Sequence, residues 1–350
     1  MTTGKDKVRV GIIGASGYTG AELLRLLATH PHADVRLLTA DRRAGKPLGA
    51  VFPHLAHLRL PGLVALGDAD WDAVDVVFCC LPHGTTQEVV AGLPRRLRVV
   101  DLSADFRLAD PELYAKWYGH RHRAPELQRE AVYGLTELAR EEIAAARLVA
   151  NPGCYPTAAQ LPLVPLIEDG AIEAEDIIID AKSGVSGAGR AAREAMLFAE
   201  VGEGVQAYAV AAHRHGPEIE QGLTEVANRP VAVNFTPHLM PMNRGILATI
   251  YVRLGAGHDA EALRRILAAR YGREPFVRVL PAGGVPSTRH VRGSNLCLIG
   301  VFADRLRNRA ILLAAIDNLV KGAAGQAIQN MNLMCGLDET AGLAQAPIFP

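Results

Sequence analysis

The chain carries no excess of charge: 37 basic and 37 acidic residues cancel within 350. That removes the electrostatic reason to expect nucleic acid or an anionic membrane surface as a partner. No apolar run is long enough to cross a bilayer. The polar start, Met1 to Lys7, does not read as a signal peptide. Cysteine is scarce. Cys79, Cys80, Cys154, Cys297 and Cys335 are odd in number, scattered, and form no CxxC pair. This argues against a disulfide framework or a cysteine zinc site and fits reduced thiols in a cytoplasmic protein. No repeat recurs at a fixed period, and there is no low-complexity tail. What is left is an ordinary globular balance, 49% hydrophobic and 21% charged, in a chain long enough for two domains with separate cores.

Val8 to Ile13 is a β-rich apolar segment. Gly14-Ala15-Ser16-Gly17-Tyr18-Thr19-Gly20 follows at once, and Leu23, Leu24 and Leu27 then mark one face of a helix. Strand, glycine loop and helix in this order suit a dinucleotide, because glycines let the backbone approach a pyrophosphate that rests on the helix N-terminus. The candidate contacts are Gly14, Ser16, Gly17, Tyr18 and Thr19. The spacing is GxxGxxG, counted from Gly11, rather than GxGxxG, and a purely structural turn is the bland alternative. A second strand, Val35 to Ala40, ends in Asp41-Arg42-Arg43. An acid there reads the ribose 2′-hydroxyl of NAD, and an arginine accommodates the 2′-phosphate of NADP. The pair Arg42 and Arg43 tilts the expectation to NADP(H).

Asp75 to Leu81 reads as a buried strand in which Cys79 and Cys80 pack. Pro82-His83-Gly84 then lies at the strand's C-terminal end, the ligand side of such sheets, so Pro82 and His83 join the cofactor candidates. Gly84 to Leu93 suggests a helix, and Arg98 to Leu102 another strand, ending in Ser103 to Arg107. Alternating strands and helices predict an α/β fold with a doubly wound, mostly parallel sheet. Leu108 to Leu138 is polar and irregular, with weak helical pieces.

Asn151-Pro152-Gly153-Cys154-Tyr155-Pro156-Thr157 places one thiol after a Pro-Gly turn and at a helix start. Unpaired helix N–H groups and the helix dipole favour the thiolate, the nucleophilic form. The bland reading of Cys154 is a small buried hydrophobe. Pro162 and Pro165 argue against a long straight helix here. The strand Asp176 to Ala181 leads into Ser183-Gly184-Val185-Ser186-Gly187-Ala188-Gly189-Arg190, which suits close approach to an anion or amide, or is simply a flexible loop. In His213-Arg214-His215-Gly216-Pro217-Glu218, Pro217 predicts a helix from Glu218 to Ala227, with His215 just before it and beside a carboxylate. A histidine within reach of a cysteine is the usual proton carrier; His213 is the reserve. A metal pair at His213 and His215 is disfavoured, since no further ligand cluster lies nearby. A polar turn feeding a strand is expected over 243–252, further strands at 276–280 and 295–302, helices at 259–271 and running on to Met334, and Ala310 to Ile316 is strongly apolar.

Taken together, these stretches resemble the N-acetyl-gamma-glutamyl-phosphate reductase family, the arginine-biosynthetic branch of the semialdehyde dehydrogenase group. The matching segments are GASGYTG (14–20), LPHG (81–84), DLSADFR (101–107), NPGCYPT (151–157), SGAGR (186–190), HRHGPEI (213–219), RGIL (244–247) and AIDNLVKG (315–322). They run in family order over nearly the whole chain. Gly216 departs from the larger residue that relatives often carry. A sister group acting on carrier-linked acyl phosphates lacks the Pro-Gly and Tyr-Pro pairs around its cysteine.

The resemblance implies a Rossmann-type NADP-binding domain (1–153 plus 318–350) and an α/β catalytic and oligomerisation domain (154–317) of the semialdehyde-dehydrogenase type. It implies NADPH-dependent reduction of N-acetyl-L-glutamyl 5-phosphate to the 5-semialdehyde, through a Cys154 thioester, with His215 moving protons and Glu218 orienting it. Arg107 and Arg214 become candidates for holding phosphate or the substrate carboxylate. Ser186 becomes a substrate contact, and Ser183, Gly184, Gly187 and Asn318 become cofactor contacts. The expected partners are a small-molecule substrate and further copies of the chain, as a dimer or tetramer, with no nucleic acid, membrane or metal. The alternatives are a reductase of another acyl phosphate, a cofactor-independent cysteine hydrolase, and a non-catalytic NADP sensor.

Overall fold

A computed structural model describes residues 7–350; the polar start read above lies, up to Asp6, outside the described residues. In chain order the strands are β1 (Val8–Ile13), β2 (Ala33–Thr39), β3 (Leu63–Val64), β4 (Val76–Cys79), β5 (Arg98–Asp101), β6 (Val132–Tyr133), β7 (Leu148–Ala150), β8 (Ile177–Gly184), β9 (Gln206–Ala207), β10 (Val233–Met240), β11 (Ile246–Arg253), β12 (Val277–Val279), β13 (Cys297–Ala303) and β14 (Arg309–Ile316). The helices are α1 (Tyr18–Leu27), α2 (Leu48–Val51), α3 (Thr86–Gly92), α4 (Pro111–Tyr118), α5 (Pro125–Glu130), α6 (Arg140–Ala145), α7 (Cys154–Glu168), α8 (Phe198–Val201), α9 (His215–Ala227), α10 (Ala260–Tyr271) and α11 (Gly325–Met334). Among the described residues no helix is long and apolar enough to cross a membrane. The chain forms two compact units. One is the chain up to Pro152 with Ala323–Ala344; the other is Gly153–Gly322 with Gln345–Pro350. The domain boundaries expected from the sequence fall at 153/154 and 317/318.

The first unit is built on a seven-stranded sheet in the order β3-β2-β1-β4-β5-β7-β6, with every pairing parallel. A sheet covered on both faces needs continuous apolar strands, and β4 and β7 are buried at every residue. The strand order reverses between β1 and β4, so the loops after these two neighbours flank the switch point where such sheets take ligands. α11 packs against α6, β5 and α1 of this unit and is buried at nine of its ten positions. Its polar side chains are tolerated because they are paired. Asn330 Nδ2 donates to the Gly134 carbonyl at 2.9 Å, and Asn330 Oδ1 accepts from Thr136 Oγ1 at 2.7 Å.

The second unit carries a mixed seven-stranded sheet, β12-β13-β14-β11-β8-β10-β9. α7 packs on β11 and β14, and α10 on β13, so Ile179, Ala181, Ala248, Ile250, Leu312 and Ala314 form the buried face. Two local expectations are corrected here, and the helix expected to run on to Met334 is found. α7 runs unbroken for fifteen residues through Pro162 and Pro165. Pro165 cannot donate to the carbonyl four residues back, Leu161, and the Tyr271 hydroxyl from α10 does so instead at 2.6 Å. α9 starts at His215 rather than at Pro217, so His215 is its first helical residue. The segment after Ile316 continues as a π turn, Val320–Ala324, before α11. β10 has no counterpart in the sequence reading. Pro237 and His238 hide its alternation, yet eight residues pair in parallel with β8. β8 itself extends past Ala181 to include Ser183 and Gly184.

Candidate active site

In the first unit the glycine loop closes on its neighbours. Gly14 has φ +78°, and a Cβ there would lie 2.7 Å from the Cys80 carbonyl oxygen, so only glycine fits. Gly17 caps α1 with no side-chain hydrogen bond, and the first turn of α1 holds no acid. The helix therefore offers backbone N–H groups and a positive dipole end to an anion, which fits a dinucleotide pyrophosphate. Ser16, Tyr18 and Thr19 lie in or beside this loop, with Thr19 beside the Cys80 thiol. After β2, Asp41 Oδ1 accepts the Leu66 N–H at 2.8 Å, while Arg42 and Arg43 are exposed. A carboxylate engaged by the backbone beside two exposed guanidinium groups suits a 2′-phosphate better than a bare ribose diol.

The loop after β4 is held by Asp105, which is fully buried. Its Oδ1 accepts from the Gly84 N–H at 2.6 Å and the Tyr114 hydroxyl at 3.0 Å, and its Oδ2 accepts from the Thr86 N–H at 2.8 Å. His83 Nδ1 accepts the Ala104 N–H at 2.9 Å. Nearby, burial pushes the Asp101 carboxyl up to about 7 against the two donors of Ser103. Arg107 is 6% exposed and ties two loops together: Nε donates to the Asn151 carbonyl at 2.8 Å and Nη2 to Leu102 at 3.0 Å. Its guanidinium is engaged by carbonyls more than a phosphate clamp would be, whereas Arg214 is exposed.

In the second unit Cys154 is the first residue of α7, partly buried, with Gly153 as N-cap and no side-chain cap. The cap is fixed from elsewhere: Glu218, 1% exposed, accepts the Gly153 N–H through Oε1 at 2.7 Å. Gln160 Nε2 donates back to the Glu218 carbonyl at 2.9 Å. Tyr155 brings the aromatic groups together. Its ring lies edge-on to His213 at 5.5 Å, His215 at 5.8 Å and Phe235 at 5.2 Å, and its hydroxyl is 2.9 Å from that of Tyr208. Burial raises both phenols, Tyr208 to about 12, so they stay neutral. His213 Nδ1 accepts the His215 N–H at 3.0 Å; burial and then the Arg214 charge pull His213 down to about 4.

Tyr155 lies beside Ser183, and Ser183 donates to the Gly184 carbonyl at 3.1 Å. Asn318 fixes the next loop. Its Oδ1 accepts the Gly245 N–H at 2.7 Å and its Nδ2 donates to Ser186 Oγ at 2.9 Å, with Gly187 against Ser183 and Asn318. Cys154, His215, Glu218, Ser183, Gly184, Ser186, Gly187 and Asn318 thus belong to one connected network. Tyr155, Asp105 and Arg244 stand inside quoted motifs without an assigned role in the sequence reading. Tyr208 and Phe235 carry no sequence signal, since only folding brings them to the histidines.

The model of the semialdehyde dehydrogenase NAD-binding domain matches residues 9–146, and that of the semialdehyde dehydrogenase dimerisation domain matches 154–318. An N-acetyl-gamma-glutamyl-phosphate reductase from Rhodospirillum rubrum is 62% identical over 99% of both chains. The chain belongs to the N-acetyl-gamma-glutamyl-phosphate reductase family. That makes it a nicotinamide-dependent oxidoreductase of the semialdehyde dehydrogenase group, as the motifs implied. A probable chloroplastic member from Arabidopsis thaliana is 60% identical over 98% of this chain and 86% of its own. The fold is shared more widely. Aspartate semialdehyde dehydrogenase II from Vibrio cholerae superposes with a TM-score of 0.71 over 95% of this chain and 99% of its own, at 20% identity. A dimerisation domain implies self-association.

Proposed function

We propose that the chain catalyses the NADPH-dependent reduction of N-acetyl-L-glutamyl 5-phosphate to N-acetyl-L-glutamate 5-semialdehyde, with release of phosphate, in arginine biosynthesis. The observation that carries this reading is Cys154 at the first position of a fifteen-residue helix, its cap fixed by buried Glu218 and a histidine pair packed on the next residue. The helix end favours the thiolate. The thiolate attacks the acyl carbonyl, a C–S bond forms, the C–O bond to phosphate breaks, and a thioester remains on Cys154. When bound, NADPH supplies the hydride that reduces this thioester. His215 protonates the oxyanion left on the Cys154-bound carbon and takes that proton back as the carbonyl re-forms, the C–S bond breaks and the thiolate leaves the aldehyde, while Glu218 keeps the α7 cap and α9 in register. The glycine loop with Ser16, Tyr18 and Thr19, the loop of Pro82 and His83, and Arg42 and Arg43 would hold the cofactor, as would Ser183, Gly184, Gly187 and Asn318. Arg214, with Ser186, is the better substrate anchor, since Arg107 is buried on carbonyls.

We read the protein as cytoplasmic and as a dimer or tetramer. Five cysteines outside any disulfide suit a reducing compartment. The sheet face of the second unit opposite α7 and α10 supports packing of a second copy: Ile178, Thr249, Tyr251, Ile311 and Leu313 are half-exposed neighbours across β8, β11 and β14. Changing Cys154→Ser should abolish turnover, followed as nicotinamide absorbance in the phosphate-dependent reverse direction, while NADPH binding is kept. Substantial residual turnover would sink the thioester route. Running N-acetylglutamate semialdehyde beside aspartate semialdehyde settles the substrate.

A further inference from the structure

We propose that the π turn Val320–Ala324 positions the Cys154 thiol, with Gly322 as the positioning residue; this rests on the reading of Cys154 as nucleophile. The Gly322 N–H donates to the Asp317 carbonyl at 3.0 Å, five residues back, which is the π-helical pattern. A Cβ placed on Gly322 would lie 2.7 Å from Cys154 Cβ, 3.2 Å from Cys154 Cα and 3.3 Å from Ile316 Cδ1. Real side chains do not approach so closely. Relief by rotation is closed, because Cys154 Cα and Cβ belong to the first turn of α7 rather than to the far end of a flexible chain. The missing side chain at 322 therefore sets how near the turn comes to the carbon that bears the sulfur.

The turn itself is fixed independently of the cysteine. Asp317 is fully buried, and its Oδ1 accepts the N–H groups of Leu319 at 2.8 Å and Val320 at 3.3 Å. Its Oδ2 accepts the Gly293 N–H at 2.7 Å, with Arg244 Nη1 at 3.6 Å. Lys321 is also fully buried, its ammonium 6.0 Å from the centre of the Phe276 ring. The stretch leading into Gly322 is held by buried Asp317 and Lys321, so the strain of a methyl group at 322 falls on Cys154. Backbone packing of this kind holds a nucleophile without touching substrate, and a displacement near 1 Å there costs about 100-fold in rate.

The test is Gly322→Ala. Its kcat should fall about 100-fold with the NADPH dissociation constant unchanged, and the alkylation rate of Cys154 by iodoacetamide should change severalfold. Gly300→Ala is the control, since a Cβ there meets the Gly284 carbonyl oxygen at 2.8 Å in the same unit. It should lower the melting temperature and leave Cys154 alkylation as in the parent. Wild-type turnover and alkylation in Gly322→Ala would overturn the proposal. So would a Gly300→Ala variant that loses turnover and alkylation to the same degree at equal melting temperature. Retained turnover in Cys154→Ser is a different failure: it removes the nucleophile reading, while the alkylation rate of Gly322→Ala still decides whether the turn positions the thiol.

Discussion

Two histidines stand two residues apart and differ in what their rings can do. His213 accepts the His215 N–H through Nδ1, so protonating it would turn that acceptor into a second donor facing the same N–H. Burial adds to the cost, and its folded value of about 4 lies below the ordinary 6.5. Between these values the unfolded chain binds the proton and the folded one does not. Stability from this group is therefore full above pH 6.5 and is lost as pH falls toward about 4. His213→Asn should flatten that acid limb, read as melting temperature from neutral to acid pH, and should cost little activity because an amide oxygen replaces Nδ1. His215→Asn should leave the acid limb intact and lower the rate by about 100-fold or more. A larger rate loss at His213 would reverse the assignment. The thiols divide in a similar way: burial raises Cys79, Cys80 (to about 12) and Cys335 (to about 11), which leaves them poor nucleophiles.

At the scale of the element, α7 shows a tertiary contact overriding a local rule. Pro162 and Pro165 in one helix read as an interruption because each removes a donor. The helix continues because Tyr271, 110 positions away, donates to Leu161 where Pro165 has no N–H to offer. Tyr271→Phe leaves that buried carbonyl without this donor and should destabilise the fold by about 1–3 kcal/mol. Denaturant unfolding measures it, and an unchanged midpoint would show that Tyr271 carries no such load. β10 failed to show in the sequence for a related reason: Pro237 breaks the pattern of a strand, and only pairing with β8 supplies the order. The glycine loop, by contrast, was legible because its requirement is local, a left-handed Gly14 between a strand and a helix. The thiol at a helix start was legible on the same ground. The contacts that fix it, Glu218 on Gly153 and Gly322 on Cys154, were not.

For the whole molecule, the balanced charge gives no long-range field to direct a partner, so self-association must rest on shape and apolar area. On the half-exposed sheet face Tyr251 pairs with Ile178 on one side and Ile311 on the other, and Thr249 with Asp180 and Leu313. Asp180 is neutralised by Lys182 Nζ at 3.0 Å and lies 3.0 Å from His238 Nδ1. Leu313→Asp adds an unpaired charge to this face and should shift the protein toward monomers in light scattering, with the fold kept. An unchanged oligomer would place the interface elsewhere.

The sequence by itself determined the α/β plan, the glycine loop between a strand and a helix, a thiol at a helix start and the family. Each of these rests on a short run of residues whose chemistry is complete within it. Only the tertiary structure decided that His213 is locked as an acceptor, that Arg107 is buried on carbonyls, that two prolines leave α7 whole, and that a π turn meets Cys154. Those features depend on atoms far apart in the chain, and nothing in a local pattern records which distant group will supply a missing donor or leave room for a thiol.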